Sequence, residues 1–551
     1  MTESLSLEET GRPEAGLLTF KSINRAWGHN AAGCRRPGAG GMLGTVTTQT
    51  AEQQHVPRTS ASVHATGPKA ASQPVKSLLI LGASGDLTGR LLFPGLARLL
   101  ATGRHAGLAV VGGGHDDWSA ERWSERVHDA TEDALADATP EGRTELERIR
   151  RESTYHQLDV TAPGVLAGAI AELDPPVAVY FALPPQVAQD ACRALSPDEL
   201  PPGTRLALEK PFGTSEDSAR ALNSTLGALV PAQQIHRVDH FLGKGTVLNI
   251  LGLRFANNFL EPVWNRDHIE KVEIFFDEDL TLEGRAGYYD RAGALRDMIQ
   301  SHLLHVMAII AMDAPARLDE RDLRDKISAI LRSARIEEPF SESTRRARYS
   351  AGTIGDRKVP DYTAEPGVDA SRGTETLAEL TIKLASWRWA DVPFILRSGK
   401  ALGARRKEAV VTFKPVPHLP EGFVGVDEPN RLRIGFGPDI LQLDVDVNGP
   451  GDILSLNRVT LDADLSATDL LPYGEVLDGI LNGDPTLSVR GDTAESCWRV
   501  VEPVLAAWAA DEVPMDDYAA GTMGPRSWAT SAPDADGAAA PPRGPDSGED
   551  G

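Results

Sequence analysis

Residues 237–244 read RVDHFLGK, so Arg237, Asp239, His240 and Lys244 fall within eight positions. A carboxylate near an imidazole can orient the ring and stabilise the cation formed when it takes a proton, which is general-base chemistry. Clustered cations can grip a phosphate. The same run also reads as an ordinary charged turn. The chain carries 79 acidic and 56 basic residues, for a formal net charge of −23. An anionic substrate therefore needs a local cationic pocket, and this run is a candidate.

A second candidate is Gly293-Ala294-Leu295-Arg296-Asp297-Met298-Ile299-Gln300-Ser301-His302-Leu303-Leu304-His305. On a 3.6-residue helix Leu295, Ile299, Leu303, Val306 and Ile310 form one apolar stripe. His302 lies about 20° from Leu295, at the edge of that stripe, as a core histidine or a cleft-facing base would. Asp297 with Gln300 three residues on also reads as a capping box. An ideal α-helix puts Asp297 and His302 on different faces, so both serve one site only if Asp297 sits at a frayed start.

Two further runs suggest a coenzyme. Leu78–Leu81 is a short apolar strand followed by GASGDLTG, residues 82–89. A strand, a glycine turn and a helix start offer backbone N–H groups and a helix dipole to a pyrophosphate. The spacing is GxxG, and a ligand-free tight turn has the same form. Lys210, in LEKPFG, follows another apolar strand, where it is either a strand-end ligand or a solvated lysine. Finally, VPFILRSGKALGARRK (392–407) runs a strand into five cations, as a phosphate clamp or as a basic surface loop.

The elements that must position these residues fall into two styles. From VKSLLIL to TRLALE, apolar strands alternate with helical segments, which implies βαβ units and a parallel sheet. Beyond about residue 240, KVEIFFDEDL, LAELTIKLASW, AVVTFKPV, LRIGF and ILQLDVDV alternate as strands of an antiparallel sheet, with strong helices at 294–312 and in ESCWRVVEPVLAAWAAD. The fold expected is an α/β Rossmann-like coenzyme domain followed by an α+β domain built on a large, mostly antiparallel sheet. Residues 1–74 and 529–551 are read as disordered extensions by composition, and Met42 is a candidate start. The domains between are set at 75–238 and 239–528.

The acidic balance argues against nucleic acid or an anionic membrane as partner. Three dispersed cysteines give neither a zinc site nor a disulfide framework, no cluster has metal-ligand spacing, and no apolar run reaches a membrane span, so a cytoplasmic protein is expected.

GASGDLT, YFALPP, EKPFG, RVDHFLGK, RFANNFLEPVWNRDHIE, EGRAGYYDRAGALRDMIQSHLL, VPFILRSGKAL and GDPTLSVR occur in an order and spacing that resembles the glucose-6-phosphate dehydrogenase family, from about Lys76 to Arg526. The resemblance implies oxidation of β-D-glucose 6-phosphate at C1 to 6-phosphoglucono-δ-lactone, with hydride passing to NAD(P), the first step of the oxidative pentose phosphate route. It implies His302 as base with Asp239 as its partner, and an adjacent carboxylate raises a histidine pKa. It implies His240, Lys244 and Arg405 as phosphate ligands, and Lys210, Glu278, Asp297 and Lys400 as ligands of the sugar hydroxyls. Lys210 would also touch the nicotinamide side. Gly82, Ser84, Gly85, Asp86 and Leu87 match the coenzyme turn, and a homo-oligomer is implied.

Four departures qualify the resemblance. Phe241 stands where the family usually has tyrosine, removing one hydroxyl from the phosphate set. Ser301 replaces an asparagine beside the base. His115 occupies the slot of the arginine that holds the 2′-phosphate of NADP, with Asp116 and Asp117 beside it, and Gly89 replaces a lysine. NADP is the coenzyme expected, but acids near the ribose favour NAD, so the NADP preference is expected to be weakened, with NAD accepted or preferred as the alternative. A catalytically silent scaffold, and a dehydrogenase for a related sugar or sugar phosphate, are the competing readings.

Overall fold

The computed structural model describes residues 73–425, 428–449, 452–465 and 470–531. The candidate start at Met42, nearly all of the expected 1–74 extension and the tail beyond 531 lie outside the described residues. The first sheet is built from β1 (Ser77–Leu81), β2 (Ala109–Gly114), β3 (Thr154–Gln157), β4 (Val177–Phe181), β5 (Arg205–Glu209) and β6 (Ile235–Val238). All six run parallel in the order 3-2-1-4-5-6, and Ser488–Val489 adds a short antiparallel strand beside β6. β1 and β4 are buried at every position, which explains why they read as continuous apolar runs rather than alternating ones. Strand order reverses between β1 and β4. Ligands of such sheets bind outside the carboxyl ends of the strands at this reversal.

The second sheet has ten strands and is mostly antiparallel. Its centre is β7 (Ile269–Asp277), flanked by Arg406–Phe413 on one side and Phe394–Gly399 on the other. The Arg406–Phe413 pairing is antiparallel, whereas Phe394–Gly399 runs parallel to β7 with Gly399 opposite Asp277. This parallel pair matters for the site, because the chain leaves both strands side by side.

Between the sheets lies a helix of changing pitch. Ala286–Ala294 is helical up to Gly293, whose φ of +67° interrupts it. Leu295–Leu303 is then a π-helix, and Leu304–Ala311 is an α-helix buried at every residue. The sequence expectation was one α-helix over 294–312. Apolar periodicity located the segment but carries no mark of pitch, since the same buried stripe suits both. Glu375 fixes the π-helical start: its carboxylate accepts the Leu295 N–H at 2.9 Å.

The chain ahead of the last helices returns to the first sheet. Helix Pro472–Asn482 packs on helix Phe93–Ala101, where Tyr473 lies against Gly95. Helix Gly491–Ala509 packs on helix Glu216–Leu229. Its Trp498 donates from Nε1 to the Phe212 carbonyl at 3.0 Å, anchoring the turn that carries Lys210.

Candidate active site

β6 ends at Val238, and Asp239 follows, fully buried. One of its oxygens, Oδ1, accepts from His302 Nδ1 at 2.5 Å and from the Phe241 N–H at 3.0 Å. The other accepts from Ser301 Oγ at 2.7 Å. Burial pushes this carboxyl up, but the pairing with His302 outweighs burial and holds it well below the usual carboxylate range. Asp239 is therefore ionised, and Nδ1 of His302 carries the proton of their bond. That tautomer leaves Nε2 as a lone-pair base.

For His302 the balance goes the other way. Burial lowers its pKa, and the raising effect of Asp239 does not recover it. The carboxylate acts in the direction expected from sequence, but desolvation is larger. The imidazole is neutral at neutral pH, the form a general base needs. The Phe241 ring lies flat against it, with centroids 4.2 Å apart and planes 15° apart. Ser301 does more than border the base, because its hydroxyl fixes the oxygen of Asp239 that His302 does not use. His305 completes this packing, donating from Nδ1 to the Ser301 carbonyl at 2.7 Å.

The π-helix resolves the problem of faces. Its hydrogen bonds span five residues, as in Leu304 N–H to the Ile299 carbonyl, so residues five apart share a face. Asp297 and His302 are five apart. Asp297 needs no frayed start to join the site, and it is not a helix cap. Lys210 Nζ bonds the Asp297 carbonyl and lies 3.3 Å from its Oδ1, while Tyr288 donates its hydroxyl to the same oxygen at 3.2 Å. Burial raises the Asp297 carboxyl, but Lys210, Lys400 and His302 bring it down to about 2.

The parallel pair of strands supplies the opposite wall. Glu278 follows β7, Lys400 follows Phe394–Gly399, and Lys400 Nζ donates to Glu278 Oε2 at 2.8 Å. Lys210, Glu278, Asp297 and Lys400 thus offer two ammonium and two carboxylate groups around the base, alternating donors and acceptors as a polyol requires.

A cationic patch adjoins this wall. His240 stacks on Tyr473 and meets His302 edge-on at 4.8 Å. Burial, reinforced by His302, pushes its imidazole well below the usual range. Lys244 Nζ sits 4.5 Å over the Phe241 ring, and Lys407 Nζ sits 4.7 Å over Phe276. Burial first, and Lys407 second, lower the Lys244 ammonium to about 8. Arg405 is largely exposed, and its Nε donates to Asp279 Oδ1 at 2.7 Å. The cation that shares the phenylalanine floor with Lys244 is Lys407, one of the five in the basic run, which sequence reading left unassigned. A two-residue alternation along Arg405–Lys407 was the signal available. Tyr473, from 233 residues beyond His240, left no signal at all.

At the far end of the cleft, Gly82 takes φ +79°, and a Cβ there would stand 2.1 Å from the Ala182 carbonyl oxygen. The turn 82–87 is held by Gly82 and Ala83 N–H bonds to the Gly113 carbonyl, at 2.8 and 3.1 Å, and by Thr88 Oγ1 to the Gly82 carbonyl at 3.0 Å. It lies at the strand-order reversal with a helix start behind it, which fits a dinucleotide pyrophosphate. His115, Asp116 and Asp117 follow β2 and are exposed. Sequence reading missed Arg126, which donates to the carbonyls of Gly85 and Ser84, and Arg122, which lies 4.4 Å over the Trp118 ring.

Comparison with known proteins agrees with this architecture. Residues 79–249 match the family model for the glucose-6-phosphate dehydrogenase NAD binding domain, and 251–537 match the C-terminal domain of the same enzyme. Glucose-6-phosphate 1-dehydrogenase of Gluconobacter oxydans is 38% identical over 467 residues, covering 81% of this chain and 94% of its own. That of Treponema pallidum is 38% identical over 82% of this chain and 92% of its own. The crystal structure of glucose-6-phosphate 1-dehydrogenase from Mycobacterium avium superposes with a TM-score of 0.71 at 33% identity, covering 83% of this chain and 96% of its own. A glucose-6-phosphate dehydrogenase solved in complex with its substrate glucose-6-phosphate gives a TM-score of 0.72 at 27% identity, covering 84% and 98%. The chain belongs to the glucose-6-phosphate dehydrogenase family.

Proposed function

We propose that this protein oxidises β-D-glucose 6-phosphate at C1, with His302 as general base and Asp239 as the group that orients it. The observation that carries this reading is the buried 2.5 Å bond from His302 Nδ1 to Asp239, which leaves Nε2 neutral and basic. Nε2 takes the C1 hydroxyl proton while the C1 hydrogen leaves with its electron pair, giving the lactone. Asp239 stabilises the imidazolium formed. A nicotinamide coenzyme held along Gly82, Ser84, Gly85, Asp86, Leu87 and Lys210 supplies the hydride acceptor.

Lys210, Glu278, Asp297 and Lys400 bind the sugar hydroxyls, and His240, Lys244 and Arg405 the phosphate, with Lys407 added to that set. Two acids beside His115 support use of NAD at least as readily as NADP. No helix among the described residues is long and apolar enough to cross a membrane. A cytoplasmic homo-oligomer is part of the same proposal.

The test is absorbance of the reduced nicotinamide with glucose 6-phosphate, galactose 6-phosphate or glucose, each with NAD and with NADP. Turnover with glucose 6-phosphate is expected, with kcat/KM for NAD equal to or above that for NADP. A strong NADP preference defeats the coenzyme reading. No turnover in any combination defeats the enzymatic one and favours a silent homologue.

A further inference from the structure

Beside β6, a cleft of about 440 Å³ opens between helix Glu216–Leu229, helix Asp322–Ser333 and the start of helix Gly491–Ala509. Four arginines line it: Arg237, Arg321, Arg324 and Arg490. Arg237 is the first residue of RVDHFLGK, and the dehydrogenase reaction gives it no task.

Its environment is unusual for a guanidinium. Arg237 is 5% exposed, and its Nη2 donates to Asn223 Oδ1. Its Nε has no hydrogen-bond partner. Among the described residues no carboxylate oxygen lies within 4.0 Å of its guanidinium or of that of Arg321, although the Arg321 backbone N–H donates to Asp319 Oδ1 at 3.1 Å. Burial, with Arg324 adding repulsion, lowers the Arg237 pKa to about 10. Glu495 and Asp492 offset this only in part, which leaves a buried cation that an anion in the cleft would stabilise.

The acids that share the cleft are already engaged. Asp492 accepts from Arg490 Nε and Nη2 at 2.7 and 2.8 Å, Glu320 pairs with Arg324 at 3.3 Å, and Glu495 accepts from Asn223 Nδ2 at 2.7 Å. Arg237, with its buried Nε unbonded, and the exposed Arg321 both line an open volume of metabolite size. Planar guanidinium forks match phosphate oxygens.

We infer that this cleft is a second anion site, which binds a small phosphoryl-bearing molecule on Arg237 and Arg321 with Arg324 at its edge. Arg237 lies on β6 two residues before Asp239, which follows the strand end, and the neighbouring strand Ser488–Val489 leads straight to Arg490. Occupancy therefore bears on the strand end that presents the dyad.

Inorganic pyrophosphate, titrated calorimetrically into the full chain without substrate, is the probe. Because it can also enter the cationic patch of the active site, the titration is repeated in Lys244→Gln/Lys407→Gln. A saturable site is expected to persist there, and to weaken at least tenfold in Arg321→Gln/Arg324→Gln at constant ionic strength. Arg321 is exposed, so Arg321→Gln alone, expected to weaken binding several-fold, covers the case in which the double variant misfolds. Loss of all pyrophosphate binding in Lys244→Gln/Lys407→Gln, or unchanged affinity in both arginine variants, overturns the proposal. The readout needs no turnover, so it is independent of the dehydrogenase assignment.

Discussion

Asp297 and His302 sit five residues apart on a single π-helical segment and face the same cleft, where each shifts the titration of the other. An α-helix would have sent them to opposite sides. Asp297 and His302, and through His302 the buried Asp239, converge because nine residues, Leu295–Leu303, adopt the wider pitch.

Replacing the base tests the dyad. His302→Asn is expected to lower kcat at least ~10²-fold with KM for glucose 6-phosphate little changed, since the proton is taken only in the transition state. Near-normal turnover removes His302 from that role. Asp239→Asn should also cost at least ~10²-fold, because an amide no longer accepts from Nδ1 and fixes the wrong tautomer.

The pH profile follows from two signs. His302 is lowered, so protonation inactivates the base only below its ordinary value of about 6.5. Lys244 is lowered to about 8, so above that pH the free enzyme loses a phosphate-binding cation. A plot of log(kcat/KM) should therefore bend down below about 6.5 and again near 8. The alkaline bend should be weaker in kcat, because bound phosphate restores the ammonium. A flat profile up to pH 9 would exclude Lys244 from the phosphate site.

Phosphate affinity can be raised or lowered at the phenylalanine floor. Phe241→Tyr should lower KM for glucose 6-phosphate about tenfold, the worth of one hydrogen bond to a charged group. Lys407→Gln should raise KM by a similar factor. Arg405→Gln should raise it less: both cations are ion-paired, Arg405 to Asp279 and Lys407 to Glu278, but Arg405 is the more exposed. Steady-state kinetics that rank Arg405 above Lys407 reverse this assignment.

Gly293→Ala addresses the pitch of the helix. Its Cβ would stand 2.3 Å from the Glu375 carboxylate that holds the Leu295 N–H, and alanine at φ +67°, ψ 172°, a region essentially confined to glycine, costs about 1–3 kcal/mol by itself. The variant is expected to melt at lower temperature and to lose about 10²-fold in kcat through misplacement of Asp297 and His302. A variant that melts lower with unchanged kcat separates the turn from catalysis.

The sequence by itself determined the class of fold and most of the strands, because buried parallel strands are continuous apolar runs and half-buried ones alternate. It marked GASGDLTG, Lys210 and RVDHFLGK as places for chemistry from residue type alone. Residue type and spacing left three things to the tertiary structure. Asp239 and His302 are 63 residues apart, and Glu278 and Lys400 are 122 apart, joined by a parallel strand pairing that neither strand announces. The lowered His302 pKa depends on burial, a property of surroundings rather than of neighbours in sequence. The π-helix has no periodic signature, since a continuously buried segment is apolar on every side whatever its pitch, and Gly293 with Glu375 chose the wider turn.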